Sequence, residues 1–420
     1  MNQAWIDKWR RILGPGILFA STCIGVSHLV QSTRAGALAG FGLVWVVVAA
    51  NAAKYPFFEF GSRYASVKGK SLIEGYRTLG KVAPWVYLLL TVGTCLFVTA
   101  AVGMVTASFL DNLLGVSAAM GKALTPQVAV ALFVACTVIL WAGRFNTLDK
   151  LIKVVAFFLV SSTVVAVVCA VGSPPAANPS VVPPAFDWTT PTGLAFLIAL
   201  MGWMPSAVDL STWNSIWTLE KAQTSGHRPS LRETLNEFNL GYGVSAVLAI
   251  GFLTLGALLL HRTGSTLPSG SAGFASGIVN LYAESMGAWS APVMGMAAFC
   301  AMLGTCIAVL DGYARALNHS WATARGSQPS EAMQRGALVL NAGGGLAILL
   351  VFSGQIKPLL DLATTLSFLV APVIAYWNLT LVTRPDFEGR PGRGLVAWAW
   401  VGLAFLTAFS VLYAWVIWLA

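Results

Sequence analysis

Four side chains of types that bind ions or move protons lie within the first apolar segment of this 420-residue chain. Residues 25–37 read GVSHLVQSTRAGA and include His28, Gln31, Ser32 and Arg34. A histidine takes up and releases protons near neutral pH and also binds metal ions. Charged and strongly polar side chains are costly in hydrocarbon, so those found there face a cavity, pair with one another or serve function. We therefore predict that this segment forms half of a substrate site.

A second polar set lies in residues 197–217, which read LIALMGWMPSAVDLSTWNSIW. Asp209 supplies a carboxylate, and Met204 offers a thioether of the kind that suits softer metal ions. The residues predicted to contact the substrate are Gly25, Ser27, His28, Met201, Met204 and Asp209. The residues predicted to line the pathway or couple transport to it are His28, Gln31, Ser32, Arg34, Ser206, Thr212 and Asn214.

The composition is that of an integral membrane protein. Hydrophobic residues make up 57% of the chain and charged residues only 10%, whereas a soluble domain has about 25% charged residues. The mean hydropathy is +0.74. The net charge of +9 is not concentrated in a basic run, so we expect no nucleic-acid partner. The expected partners are the lipid bilayer and a transported ion or small solute.

Apolar windows of about 20 residues, the length that spans a bilayer, predict eleven spans. They are residues 13–37, 41–61, 84–110, 126–143, 151–172, 192–217, 240–260, 287–312, 336–353, 358–382 and 395–419. Lys and Arg follow the even-numbered spans, whereas residues 172–191 contain none. The positive-inside rule then predicts a cytoplasmic amino terminus and an external carboxyl terminus. The expected location is a bacterial inner membrane.

Spans 1 and 6 contain helix-breaking residues at similar depth. Span 1 has Gly25 near its middle, and span 6 has Gly202 and the Met204–Pro205 pair. Irregular backbone inside a membrane is tolerated where it lines a cavity or is buried in protein. Broken helices five spans apart are typical of secondary transporters built from inverted repeats. The predicted divisions are residues 1–175 for the first repeat, 176–191 for an external loop, 192–382 for the second repeat and 395–420 for span 11.

These motifs resemble those of the NRAMP family of divalent-metal transporters. The sequence has GPG at residues 14–16 and AGA at 35–37 with the family's separation, Met-Pro at 204–205, and Asn112 after the third span. The resemblance implies an all-α membrane protein of about eleven transmembrane helices, with a LeuT-like 5+5 inverted repeat and broken helices 1 and 6. It also implies proton-coupled uptake of a divalent metal.

The site residues of that family are partly replaced. Family members bind the metal with the Asp and Asn of a DPGN motif, a span-6 Met and a nearby carbonyl. A gapless alignment places Gly25 and His28 at the Asp and Asn positions and retains Met204. Acidic positions used for proton movement in the family fall at Ser32, Ala100 and Gly103. The chain is thus expected to be a divergent member.

Several interpretations remain open at this stage. The metal ligands, if the substrate is a metal, are predicted to be His28, Met204 and Asp209. The alternatives are transport of a small anion such as bicarbonate or of a zwitterion, and a membrane sensor without turnover. Arg34 is either a pathway residue or an anchor at the membrane interface, and His28 is either a proton carrier or a buried histidine bonded to a carbonyl. No nucleotide-binding or hydrolase motif occurs, so neither an enzyme nor a cofactor is expected.

Overall fold

The computed structural model describes residues 14–142, 145–172, 186–264, 267, 271–352 and 355–419. The first half contains α1 (Pro15–Cys23), a π-helical turn (Ser27–Ser32), α2 (Thr33–Ala39), a 3-10 turn (Gly40–Leu43), α3 (Val44–Lys68), α4 (Leu72–Tyr76), α5 (Ala83–Leu114), α6 (Val116–Met120), α7 (Thr125–Trp141) and α8 (Phe145–Gly172). The second half contains α9 (Pro191–Gly202), α10 (Leu210–Ser225), α11 (Leu231–Leu255) with a π-helical end (Gly256–His261), α12 (Ser271–Met286), α13 (Ser290–Arg325), α14 (Glu331–Phe352), α15 (Ile356–Thr383) and α16 (Arg393–Leu419).

The helices account for all eleven predicted spans. Among the described residues, seven helical stretches are long and apolar enough to cross a membrane, and three shorter apolar helices accompany them. The first stretch, Pro15–Lys68, has 54 residues and would extend about 80 Å at 1.5 Å per residue, far more than the roughly 30 Å of one hydrocarbon core. It comprises spans 1 and 2, which meet at the turn beginning with Gly40, whose φ is 56°.

The helices differ from the predicted spans mainly at their ends. Span 8 was predicted to end at residue 312 but α13 continues to Arg325, and span 7 was predicted to begin at 240 but α11 begins at Leu231. The added turns carry polar residues, which an apolar window does not count. Helix α12, between spans 7 and 8, was not predicted. Residues 176–185 of the predicted external loop, and the basic residues that precede span 1, Lys8, Arg10 and Arg11, lie outside the described residues.

Span 1 is held against span 7 at both ends. At its start, the Glu237 carboxylate of α11 accepts hydrogen bonds from the amides of Gly14 and Gly16 at 2.9 and 2.8 Å. A carboxylate at a helix amino terminus stabilises the unpaired amides and the positive end of the helix. Further along, a Cβ added to Gly36 would lie 2.1 Å from the Leu253 carbonyl oxygen. The two backbones therefore touch, with no room for a side chain at this position.

We expect Gly36→Ala to lower the stability of the purified protein. The added methyl group must push α2 away from α11, and overpacking of this kind costs about 1–3 kcal/mol. The measurement is the thermal unfolding midpoint in detergent, with Gly93→Ala as the control. Gly93 lies on α5, and an added Cβ there meets nothing within 4 Å. Equal midpoints for the two variants would contradict the close contact.

Candidate functional site

The break in span 1 is short and keeps most of its backbone hydrogen bonds. Helix α1 ends at Cys23, a turn follows at residues 24–25, and the π-helical turn begins at Ser27. The Leu29 amide still donates to the Gly25 carbonyl at 3.1 Å. A Cβ added to Gly25 would lie 2.5 Å from Oγ1 of Thr305 on α13. Gly25 is thus the point where span 1 packs directly on span 8.

The break in span 6 is longer. Residues 203–209, between α9 and α10, are not helical, and the Met204–Pro205 peptide bond is cis. Trp203, Met204 and Ser206 are all buried. Because buried backbone groups need partners where no water reaches them, the carbonyls released by this break must be satisfied from other helices.

Lys54 of α3 satisfies three of these carbonyls. Its Nζ donates to the carbonyl oxygens of Met201, Gly202 and Ser206 at 2.5, 2.8 and 3.0 Å. The side chain is completely buried. We call these three oxygens the carbonyl site. An ammonium group has three donors, so each of its donors finds an acceptor there.

A small cavity of about 30 Å³ lies between the two breaks, enough for about one water molecule. Every side chain around it is buried. Its wall combines hydroxyl groups, two indoles and aliphatic groups, contributed by Thr22, Val26, Ser27, Val98, Val102, Trp203, Ser206, Ala207, Leu210, Trp213, Thr305, Val309 and Tyr313. Of the predicted site residues, Ser27 and Ser206 line this cavity.

His28 points toward span 7 rather than into the cavity. Its Nε2 donates to the Ser245 carbonyl oxygen at 2.8 Å, and its Nδ1 lies 2.8 Å from the Ser27 hydroxyl. The side chain has no exposed surface. This is the arrangement expected of a buried histidine bonded to a carbonyl. A role for His28 in proton coupling stays a prediction.

The Asp209 carboxylate bonds across to span 8. Its Oδ2 accepts from the Tyr313 hydroxyl at 3.2 Å, and its Oδ1 has no hydrogen-bond partner among the described residues. The Thr212 hydroxyl donates to the Asp209 backbone carbonyl at 2.7 Å and lies 2.7 Å from the Tyr87 hydroxyl. The Asn214 amide instead donates to a hydroxyl of α3. Asp209 therefore links the start of α10 to α13.

Arg34 is a buried ion-pair partner. Its guanidinium donates to Asp361 of α15 at 2.7 and 3.2 Å and to Gln31 at 2.8 Å. It also lies 5.2 Å from the ring centre of Phe196. Only 10% of the Arg34 side chain is exposed, against 39% for Asp361. The carboxylate of α15 holds the guanidinium within the protein, and both interpretations of Arg34, as a pathway residue and as an interface anchor, stay predictions.

The three predicted metal ligands have separate partners. His28 is bonded to α11 and Asp209 to α13, while the Met204 sulfur lies 4.0 Å from the Ser32 hydroxyl. Across the part of the chain that the structure describes, no three His, Cys, Asp or Glu side chains gather in a way that could hold a metal ion. The metal-ligand assignment stays a prediction.

The sequence did not predict three groups that bond to the candidate site. They are Lys54, which bonds to the span-6 carbonyls, Tyr313, which bonds to Asp209, and Asp361, which bonds to Arg34. A signal existed for Lys54, since it is a charged residue well inside an apolar span. Tyr313 and Asp361 lie near the ends of predicted spans 8 and 10, where polar residues are ordinary. Their bonds to the site depend on which helices pack together, which apolar length and residue type do not reveal.

No known protein-family profile matches the sequence. Uncharacterized protein PM0681 from Pasteurella multocida is 36% identical over 420 residues, covering 98% of this chain and 93% of that protein. The chain belongs to the family of this Pasteurella protein.

Several solved structures have the same fold as this chain. A manganese transporter from Eremococcus coleocola superposes with a TM-score of 0.71 at 13% identity, covering 98% of this chain and 87% of that chain. Mhp1, a nucleobase-cation-symport-1 family transporter, gives 0.57 at 13% identity over 96% and 91% of the two chains. MhsT, solved with L-phenylalanine, gives 0.57 at 14% identity over 94% and 98%. The predicted resemblance to the NRAMP family is confirmed at the level of the fold, as is the LeuT-like all-α architecture.

We expect Tyr313→Phe to destabilise the protein by about 1–3 kcal/mol, because it removes the side-chain donor to a buried carboxylate. The measurement is chemical or thermal unfolding in detergent. Tyr282→Phe is the matched control, since the buried Tyr282 hydroxyl bonds at 3.1 Å to the neutral Thr163 and its loss costs less. A loss no larger for Tyr313→Phe than for the control would show that Asp209 does not depend on this bond.

Proposed function

We propose that the protein is a secondary transporter that carries a small solute by alternating access through the cavity between spans 1 and 6. The observation that carries the proposal is a small cavity with buried walls at two helix breaks, with an ion pair between different helices on either side of it. The fold, shared with proteins described as transporters, is consistent with this role. Helices that break at the substrate site allow its two sides to move separately.

The ion pair on the predicted external side joins span 1 to span 10. Arg34 and Asp361 form part of the lining of an outer cavity of about 440 Å³, together with Phe196 and Thr365. A partly exposed pair contributes only about 1 kcal/mol or less. Such a contact can break and re-form during a transport cycle.

The ion pair on the predicted cytoplasmic side joins span 6 to span 8. Arg315 of α13 bonds to Glu220 of α10 and, at 2.6 Å, to Asp311 of its own helix. Both acidic side chains and Arg315 are largely buried. Solute leaving the cavity toward this side must separate α10 from α13.

The cavity wall favours a small uncharged or anionic solute over a divalent metal ion. The Trp213 indole N–H, which has no hydrogen-bond partner among the described residues, can donate a hydrogen bond to such a solute, whereas divalent ions give up their hydration for charged or strongly dipolar oxygen ligands. No carboxylate is among the residues that line the cavity. Bicarbonate and small zwitterions are therefore the first solutes to test.

The substrate test is uptake into proteoliposomes, with Mn²⁺, bicarbonate and small amino acids run in parallel and a pH-sensitive dye inside. We expect saturable uptake of a non-metal solute and none of Mn²⁺. Saturable Mn²⁺ uptake would instead assign the protein to metal transport. Empty liposomes and liposomes with heat-inactivated protein give the background rates.

We expect Arg34→Gln to open the outer side about fivefold more often, if the pair contributes about 1 kcal/mol to the closed state. The readout is the rate at which an impermeant thiol reagent labels Thr22→Cys, in the central cavity, in a background without the native cysteines. Arg335→Gln is the control, because it breaks an exposed ion pair with Glu331 away from the cavity. Equal labelling in both variants would remove the Arg34–Asp361 pair from gating.

A further inference from the structure

The carbonyl site has the properties of a cation-binding position. Met201 and Gly202 are the last residues of α9, and the carbonyl end of a helix carries partial negative charge. In transporters with broken helices, carbonyls exposed at such an end coordinate cations at the middle of the membrane. Here the position is filled by a group of the protein itself, the Lys54 ammonium.

The ammonium group places a positive charge among these carbonyl oxygens, so a second cation there would meet electrostatic repulsion. All three donors of Lys54 are bonded to the carbonyl site at 2.5–3.0 Å, and the side chain is completely buried. An ion entering the site would have to displace a charge that is covalently attached to α3. The attached group has no translational freedom to lose, whereas a dissolved ion does.

A buried carboxylate also lies in this irregular segment. Asp209, at its end, is buried as Lys54 is. One buried ammonium and one buried carboxylate offset each other without an added ion, in a medium where uncompensated charge is expensive. A divalent metal added beside them would bring two further positive charges into this buried region.

We propose that Lys54 is a built-in cation: its ammonium occupies the carbonyl site that a transported or coupling cation takes in a transporter of this fold. Span 6 is thereby held in its broken form without a bound metal or sodium ion. Lys54 is a specificity-determining residue that excludes metal cations and leaves the central cavity to an uncharged or anionic solute. The statement about that solute rests on the proposed function, whereas occupation of the carbonyl site by Lys54 does not.

The test is chemical replacement of the ammonium group. Lys54→Ala removes the charge and leaves space, whereas Lys54→Met removes the charge and fills most of the space. Purified proteins are unfolded thermally in detergent with N-methylglucamine as the only other cation, and methylammonium, Na⁺ and Mn²⁺ are titrated separately. We expect both variants to unfold at a lower temperature than the wild type.

We expect methylammonium or Na⁺ to reverse at least half of the decrease in unfolding temperature that Lys54→Ala causes, with a response that saturates. Lys54→Met and the wild type should show no saturable response. Lys68→Ala is the matched control, because Lys68 lies on the same helix and donates to a backbone carbonyl at 2.9 Å but is exposed. Absence of any recovery in Lys54→Ala would overturn the proposal.

The titration of the wild type shows whether a cation binds at the break in span 6, even if Lys54→Ala does not fold. Saturable stabilisation of the wild type by Mn²⁺ or Na⁺, lost in Met204→Leu, would show that a cation binds at the break despite Lys54 and would overturn the proposal. No response to Mn²⁺ or Na⁺ supports it. The unfolding titrations do not depend on transport. If cations stabilise Lys54→Ala but the wild type takes up no solute, only the proposed transport function is refuted.

Discussion

A helix can break inside a membrane only if the backbone groups released by the break find partners within the protein. The two breaks in this chain meet that requirement differently. Span 1 departs from regular helix over two residues and resumes as a π-helical turn, so that most of its amides remain bonded to its own carbonyls. Span 6 loses seven residues of helix between α9 and α10 and depends on Lys54 for three of its carbonyls.

The partners of the breaks come from the opposite half of the chain. Span 2 supplies Lys54 to span 6, while span 7 supplies the Ser245 carbonyl to His28 and the Glu237 carboxylate to the start of span 1. Spans 1, 2, 6 and 7 are therefore joined by polar contacts in addition to packing. By contrast, the contacts of Arg34 with span 10 and of Arg315 with span 6 are ion pairs with partly exposed members. This difference is consistent with the proposed transport cycle, in which spans 1, 2, 6 and 7 stay together while the ion pairs at either side open.

Local backbone features could be predicted from the sequence because they follow from residue type. Gly25 and the Met204–Pro205 pair mark the breaks wherever the surrounding helices lie, and the spans follow from apolar length. Partners were not predictable in the same way. Arg34 and Asp361 are 327 residues apart, and only the folded arrangement of the helices brings them together. His28 has the side chain of a proton carrier, but its orientation toward Ser245 depends on the π-helical turn.

Two features of the candidate site weaken its attraction for a metal ion. Relative to the resembling metal transporters, span 1 lacks the carboxylate at Gly25, and an ammonium group stands at the carbonyl end of α9. The absence of a carboxylate at Gly25 and the presence of an ammonium group at these carbonyls both weaken the attraction for a metal ion, so the two features act in the same direction. The remaining carboxylate, Asp209, accepts a hydrogen bond from Tyr313. The cavity between the breaks therefore has no carboxylate among its lining residues, which is consistent with the uncharged or anionic solute proposed above.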